Sequence, residues 1–257
     1  MKNSNDDSNW KQIRIVKVHK LISEGLEKFV SEANTIVINT TLTTILIIFT
    51  IYLGILRHPY FFIISIISSF YLIYLLTKPQ VSINYSSNIR IPNQLAYIIH
   101  IKESIKIWSI IESENVYNKK YEAGAGSTIR RTRCEALTKI PFPFKTNTSD
   151  IIVFKTNKGK IVFLPDRIIF KRGLRIGALY YKDIHIWQDT CQFIETEEVP
   201  CDSPIVNYTW KYVNKNGDPD LRFKNNKRFA VCKYGELIIQ GDGINIVIMY
   251  SDPDVFY

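Results

Sequence analysis

A long uncharged run near the N-terminus constrains the fold of this chain more than any other feature. Residues 33–56 contain no Asp, Glu, Lys or Arg in 24 positions. As an α-helix rising about 1.5 Å per residue, the run would be about 36 Å long, which spans a hydrocarbon core of roughly 30 Å with some tilt. The run therefore predicts a membrane-spanning helix.

A second uncharged run, residues 60–77, follows the first after a short interruption. It would be about 27 Å long as a helix, which is near the lower limit for a span. Between the runs lie Arg57 and His58, which are costly in lipid, and Pro59, which disfavours helical geometry in the residue before it. We therefore predict a two-helix transmembrane hairpin over residues 35–77. The alternatives are a buried helical pair in a soluble core and a signal peptide, which the polar residues ahead of the run disfavour.

Flanking charge predicts the orientation of the hairpin. Basic residues cluster before the first run and after the second, whereas the connecting turn holds Arg57 alone. Because an excess of Lys and Arg marks cytoplasmic segments, both termini are expected in the cytoplasm. The flanking basic residues are Lys11, Arg14, Lys17, Lys20, Lys28, Lys78 and Arg90.

The two flanking parts of the chain have different patterns. Within residues 1–34, apolar residues recur near helical spacing over positions 8–33. This spacing predicts an amphipathic cytosolic helix that packs on the membrane interface, on the cytosolic domain or on another copy of the protein. Residues 78–257 have 26 Lys and Arg against 19 Asp and Glu, a net charge of +7, and are long enough for one independent core. Such a charge suits anionic lipid, nucleotide or nucleic acid, or is simply a solvated surface.

The β-rich pattern of the C-terminal part predicts its fold class. Residues 91–108 are expected to begin as a helix after Pro92 and to end as a strand, and short β-type runs follow from about residue 125. Turn residues at Asn157-Lys158-Gly159 and Pro165-Asp166 predict a meander of hairpins. We expect an α+β membrane protein whose cytosolic domain is a small barrel or a strongly bent sheet with one helix.

Three basic clusters are candidate anion-binding sites, because the arginine fork suits phosphate and loops on a rigid sheet concentrate binding functions. They form one anion site if they converge and are otherwise solvated faces. The clusters are Arg130, Arg131 and Arg133; Lys171, Arg172 and Arg175; and Arg222, Lys224, Lys227 and Arg228.

Polar positions in the two uncharged runs are candidate helix-packing residues. Small and hydroxyl side chains let membrane helices approach closely, either within the hairpin or between subunits of a homo-oligomer. They are Asn39, Thr43 and Thr50 in the first run and Ser65 and Ser69 in the second.

Motifs for catalysis or metal binding are not recognisable in the sequence. Pro165-Asp166 and Pro219-Asp220 resemble the start of a nuclease core but lack the acidic-x-lysine pair that such a core needs. The cysteines, Cys134, Cys191, Cys201 and Cys232, show no paired spacing for zinc and are expected as free thiols. We therefore expect neither a cofactor nor a metal, and no enzyme activity.

The layout of a short cytosolic N-terminus, a two-span hairpin and a β-rich cytosolic domain resembles the two-transmembrane effectors of bacterial anti-phage signalling systems. The segments "VFLPDRIIF" and "TWKYVNKNGDPDLRFKNN" are similar to recurrent segments of bacterial domains with a pleckstrin-homology-like β pattern. The first resemblance implies a bacterial plasma-membrane protein, nucleotide sensing and hairpins that oligomerise. Two hypotheses follow: a membrane-anchored module that binds an anionic ligand, lipid or protein partner, and a membrane-disrupting defence effector.

Overall fold

The first helix begins before the uncharged run that predicts it. In the computed structural model, which describes residues 18–77, 81–86, 92–115, 123 and 127–255, helix α1 spans Glu27–Leu56 and α2 spans Phe61–Thr77. Glu27 lies in the first turn of α1, where a carboxylate complements the helix dipole. Among the described helices α1 is long and apolar enough to cross a membrane, whereas α2 is a shorter apolar helix of 17 residues. The second span therefore stays a prediction.

The amphipathic helix predicted over residues 8–33 is wrong for its described part ahead of α1. Val18–Lys20 form a 3₁₀ turn, Ile22 makes an isolated parallel bridge to Ala178, and α-helix starts only at Glu27. Gly25, at φ 89°, supports the bend before the helix because only glycine adopts that region without strain. The apolar residues that suggested one helix therefore belong to an extended segment followed by a helix. Residues 8–17, with Trp10, lie outside the described residues.

The rest of the described chain is mostly β-structure. Helix α3 spans Asn93–His100 and leads into a strand at Ile107, as predicted for residues 91–108. The strands are β1 Val81–Ile83, β2 Ile107–Asn115, β3 Ser127–Arg133, β4 Glu135–Leu137, β5 Phe144–Thr146, β6 Ile152–Thr156, β7 Gly159–Phe163, β8 Arg167–Arg172, β9 Arg175–Tyr180, β10 Ile184–Glu195, β11 Ile205–Trp210, β12 Arg228–Gly241 and β13 Ile244–Tyr250. The protein is thus α+β, with one long apolar helix and a β-rich domain.

Five antiparallel strands form one sheet in the order β4-β6-β7-β8-β9. Strands β6, β7 and β8 are the predicted meander, which is confirmed with turns after Thr156 and Phe163, and β9 extends it after a further turn at Arg172. Gly159 is required at the first turn, since a Cβ there would lie 2.3 Å from the carbonyl oxygen of Lys171. Local turn chemistry therefore sets the register of this sheet.

The other main sheet has six strands, in the order β10-β12-β13-β2-β3, with β11 also paired to β12. The described strands thus divide among these two sheets and a separate β1–β5 pair, and do not hydrogen-bond into the single small barrel or strongly bent sheet that was expected. The chain passes from one sheet to the other at Cys134, between β3 and β4. Strand β10 is also longer than expected, because the segments "IHIWQD" and "QFIETE" form one continuous strand.

The five-stranded sheet is buried on both faces. One face, with Phe154 and Phe163, packs against Leu237 and Ile248 of the six-stranded sheet and against Leu95 of α3. The opposite face packs against the first turns of α1 and against strands β1 and β5, which form a short parallel pair. This second core holds the apolar helix on the domain.

Candidate anion-binding site

The base of α1 is fixed to the free edge of the five-stranded sheet. The amide of Ala178 donates to the Leu21 carbonyl at 2.8 Å, and the amide of Ser23 donates to the Ala178 carbonyl at 3.0 Å. The amide of Tyr180 donates to Ser23 Oγ at 2.8 Å. The segment before α1 therefore covers an edge strand that would otherwise expose unpaired backbone groups.

Asn34, two turns into α1, continues this attachment. The amide of Ile176 donates to Asn34 Oδ1 at 2.9 Å, and Asn34 Nδ2 donates to the Ile176 carbonyl at 3.3 Å. Near the start of the helix, Phe29 lies under the Arg167 guanidinium, 4.9 Å from it, and Arg167 pairs with Tyr180. Helix α1 therefore runs along β9 from its Tyr180 end toward its Arg175 end, and leaves the domain in that direction.

The chain returns from α2 to the same end of the sheet. The amide of Val81, the first residue of β1, donates to the Pro143 carbonyl at 2.9 Å. The carbonyl of the neighbouring residue, Phe142, accepts a hydrogen bond from Lys171 Nζ. Lys171 is in turn the cross-strand partner of Ile176, which Asn34 contacts. The points where the apolar helices leave and rejoin the domain thus both lie near Lys171.

Basic side chains concentrate at this end of the sheet, and we call the group the basic tip. Antiparallel pairing places Lys160 opposite Lys171 and Arg172 opposite Arg175, so like charges face each other across two strand pairs. Lys158 lies in the adjoining turn after β6, and Leu174 in the turn after β8. The basic tip consists of Lys158, Lys160, Lys171, Arg172 and Arg175.

The electrostatics of the basic tip favour an anion. Burial lowers the pKa of Lys171, and the positive charge of Lys160 lowers it further. Among the described residues, the carboxylate nearest in register, Glu135, pairs with Lys155 at 3.0 Å and with none of the tip residues. Adjacent positive charges of this kind attract phosphate or carboxylate oxygens.

Arg131, predicted as an anion ligand, has a structural role. Its Nη2 donates to both carboxylate oxygens of Glu195, at 2.9 and 2.7 Å, and its guanidinium lies 4.0 Å from the centre of the Trp108 ring and 4.2 Å from that of Phe193. Tyr234 also donates to Glu195, at 2.7 Å. Burial raises the pKa of Glu195, but these hydrogen bonds outweigh it and leave the pKa below its usual range. The pair joins the two edge strands β3 and β10 and is not open to a ligand.

The remaining predicted basic residues lie on the six-stranded sheet or its connections. Arg130 and Arg133 are exposed on β3. Arg222 makes a two-pronged contact with the buried Asp220, and the guanidinium of Arg228 stacks 3.9 Å from the Tyr208 ring centre. Lys224 and Lys227 are exposed in the connection before β12. The structure thus brings together Lys171, Arg172 and Arg175 at the tip, on a different sheet from the other two clusters.

Sequence reasoning missed Lys158 and Lys160. Lys158 lies in the Asn157-Lys158-Gly159 turn, whose position was predicted, and Lys160 directly follows it. Extending the predicted meander by one pairing step would have placed Lys160 opposite Lys171. The signal was therefore present in the turn spacing.

The predicted helix-packing residues divide into buried and exposed positions. Thr43, Thr50 and Ser65 are buried, Ser69 is half-buried and Asn39 is exposed. The hydroxyls bond carbonyls of their own helix, as Thr43 does with Asn39 at 2.8 Å. At the far end of the hairpin, a Cβ on Gly54 would lie 3.0 Å from the Phe62 ring, so the helices approach closely there.

A concave region lies between the C-terminal segment and β10. It is an open groove of about 520 Å³ whose ionisable lining groups are Asp189, Lys233 and Asp254 together with two tyrosines. Lys233 and Asp254 approach each other to 3.9 Å, so the groove is nearly balanced in charge and less suited to an anion than the basic tip.

Two further features bear on the chemistry of the domain. Within the described part of the chain, no group of three or more His, Cys, Asp or Glu is placed to hold a metal. None of the four cysteines forms a disulfide, and burial raises the pKa of the Cys134 thiol to about 12, which makes it a poor nucleophile. Comparisons of the chain with family models, curated proteins and solved structures gave no match.

Proposed function

We propose that the protein is a membrane-anchored binding module without catalytic activity, whose α1–α2 hairpin crosses the plasma membrane twice and whose β-rich domain lies on the cytoplasmic side. The observation that carries this proposal is the unburied apolar surface of the hairpin. Ile48, Ile55 and Phe70 are each more than 60% exposed, and large apolar side chains surround both helices from Ile38 to Leu76. Soluble monomers rarely expose a continuous apolar patch of that size.

The apolar part of α1 and the whole of α2 have similar lengths, which supports both helices crossing the same bilayer. Residues 38–56 of α1 give about 28 Å and the 17 residues of α2 give about 26 Å, both close to the roughly 30 Å of a hydrocarbon core. A span as short as α2 is accommodated by local thinning of the bilayer at modest cost. Arg57 and His58 in the turn would then lie at the opposite surface.

The basic tip supports binding of an anion. Its lysines and arginines supply charge and hydrogen-bond donors to phosphate or carboxylate oxygens. Because it adjoins the base of the hairpin, a ligand there is held next to the membrane. Purification in detergent followed by mass spectrometry of bound small molecules tests for such a ligand, with Arg172→Glu as the variant that should lose it.

Alkaline carbonate extraction tests the anchoring directly. We expect the full-length protein to stay in the membrane pellet and to enter the soluble fraction only with detergent. A C-terminal reporter that is active only in the cytoplasm should be active, because the proposed topology has both termini there. Release of a dispersed, detergent-free monomer by carbonate would overturn the proposal.

A second candidate function, membrane disruption by assembled hairpins, is supported by Asn39. Its side chain is exposed on an apolar helix, where an amide in lipid gains by bonding to another copy. This function predicts dye leakage from proteoliposomes once the domain receives a signal, and loss of leakage in Asn39→Leu. Vesicles that stay intact under all ligand conditions would exclude membrane disruption and leave the binding module as the function.

A further inference from the structure

We infer that the basic tip binds the anionic headgroups of the leaflet into which the hairpin inserts, with Leu174 entering the interface beside them. This inference rests on the proposed membrane anchoring and names the ligand of the same site. It replaces an unspecified anion by the phosphate-bearing surface of the bilayer itself.

The level of the tip along α1 is the first argument. Asn34 fixes the helix at Ile176, and Leu174 lies two residues before Ile176, in the turn just ahead of β9, at most about 7 Å farther out. The same distance along a helix is about five residues, which reaches Asn39. Exposed large apolar side chains begin at Ile38, 43% exposed. The tip therefore lies level with the start of the apolar surface, where headgroups would be.

The point where the chain returns from α2 places the basic tip at the same level, independently of α1. The chain re-enters the domain at Val81, bonded to Pro143, only four residues after the end of α2 at Thr77. Lys171 bonds the carbonyl of Phe142, next to that point. A surface that adjoins both points where a membrane hairpin leaves and rejoins the domain faces the bilayer.

The residues of the turn between β8 and β9 suit the boundary between lipid headgroups and acyl chains. Leu174 is 46% exposed, and Arg172 and Arg175 flank it across the Gly173 turn. Gly173, at φ 57°, allows this tight turn. An apolar side chain between two cations suits the boundary between acyl chains and phosphates, as in interfacial helices.

The tip also has the charge that the site requires. Each Lys or Arg placed near an anionic surface strengthens binding about fivefold at ordinary ionic strength. Two opposed cation pairs and Lys158 therefore distinguish anionic from neutral lipid strongly. The effect should weaken with added salt because it is electrostatic.

Hydrogen exchange of the full-length protein in lipid nanodiscs tests the inference. Discs of phosphatidylcholine alone are compared with discs that also contain phosphatidylglycerol, and exchange is followed in peptides that cover the turn between β8 and β9. We expect the turn amides to exchange at least fivefold more slowly in the anionic discs. The double variant Lys158→Glu/Arg172→Glu should exchange equally fast in both.

The matched control is Lys224→Glu/Lys227→Glu, which makes the same change in charge at exposed positions in the connection before β12. It should keep the full difference between the discs. Leu174→Ala, a change at an exposed turn, should speed exchange of the turn in both discs and leave the rest of the sheet unchanged.

Three outcomes separate the possible failures. A protein that does not enter discs refutes the anchoring as well as the inference. A protein that enters discs and shows equal turn exchange in both lipids refutes the inference alone. Protection in neutral discs by inorganic phosphate, without further protection from anionic lipid, would make the ligand a soluble anion and would also overturn it.

Discussion

The first three turns of α1 and its remaining turns belong to one helix but have opposite surroundings. In the first part Val30, Ala33 and Val37 are buried against the five-stranded sheet. In the second part Ile48 and Ile55 expose most of their surface. The uncharged run starts at residue 33, inside the first part, so hydrophobicity alone does not locate the boundary. The change from buried to exposed side chains does locate the boundary, at residues 37–38. There we expect the helix to pass from protein into lipid.

Truncation of a leucine on each side of this boundary should give the largest difference. Leu26 is 2% exposed at the base of the helix, and Leu26→Ala should lower the free energy of unfolding of the domain by about 2–5 kcal/mol through lost burial and the cavity left behind. Urea unfolding followed by tryptophan fluorescence measures it. The control Leu46→Ala, at a residue 46% exposed, should change that free energy by less than about 0.5 kcal/mol. Equal effects would mean that the boundary is misplaced.

Two asparagines on the same helix provide a second matched pair. Asn34→Ala removes both hydrogen bonds to Ile176 and leaves its backbone groups unpaired, at an expected cost of about 1–3 kcal/mol to the domain. It should also speed hydrogen exchange at Ile176. Asn39→Ala, at an exposed position, should do neither. A silent Asn34→Ala would show that the helix base does not depend on this contact.

A change in the second part of the helix should leave the domain unaffected. Gly54→Ala places a methyl 3.0 Å from the Phe62 ring, so we expect the two helices to separate slightly at a cost of about 1 kcal/mol. Faster exchange in residues 53–62 in nanodiscs, with an unchanged urea midpoint of the domain, is the expected result. Ile55→Ala on the exposed side is the control. A shifted domain midpoint would contradict the independence of the two parts.

Acid should affect the domain and spare the second part of α1, which has no carboxylate or basic side chain from Ile38 to Leu56. The pKa of Glu195 is lowered in the folded state. Its stabilisation is therefore present above the unfolded-state pKa of about 4.3 and is lost as pH falls through the lower folded value. Urea midpoints between pH 6 and 3 should fall less steeply in Glu195→Gln than in the wild type. Equal slopes of urea midpoint against pH in the two proteins would show that Glu195 does not cause the loss of stability in acid.

The elements that sequence predicted are those set by neighbouring residues. The meander follows from the turns at Gly159 and Pro165, and the change from helix to strand follows from Pro92 and the β-type run after it. The end of the first apolar helix at Leu56 also follows from the end of the uncharged run, whereas its start at Glu27 does not. Each depends on contacts or periodicity within about 20 residues, which a sequence displays directly.

The features that sequence did not predict depend on distant contacts. Asn34 and Ile176 are 142 residues apart, and Arg131 and Glu195 are 64 apart. The cluster of arginines at residues 130–133 does not reveal that Arg131 alone is held between aromatic rings. Similarly, residues 21–23 have helical spacing, but the unpaired edge of β9 offers them hydrogen bonds and makes them extended.

Hydrogen exchange along α1 in nanodiscs, measured across a urea titration, tests the change of environment most directly. The account predicts that protection of residues 30–37 disappears together with that of the five-stranded sheet, because only the folded domain surrounds them. Protection of residues 43–56 should persist beyond that transition, because lipid surrounds them. Loss of protection in both parts within one transition would show that protein buries the whole helix, and would contradict the account.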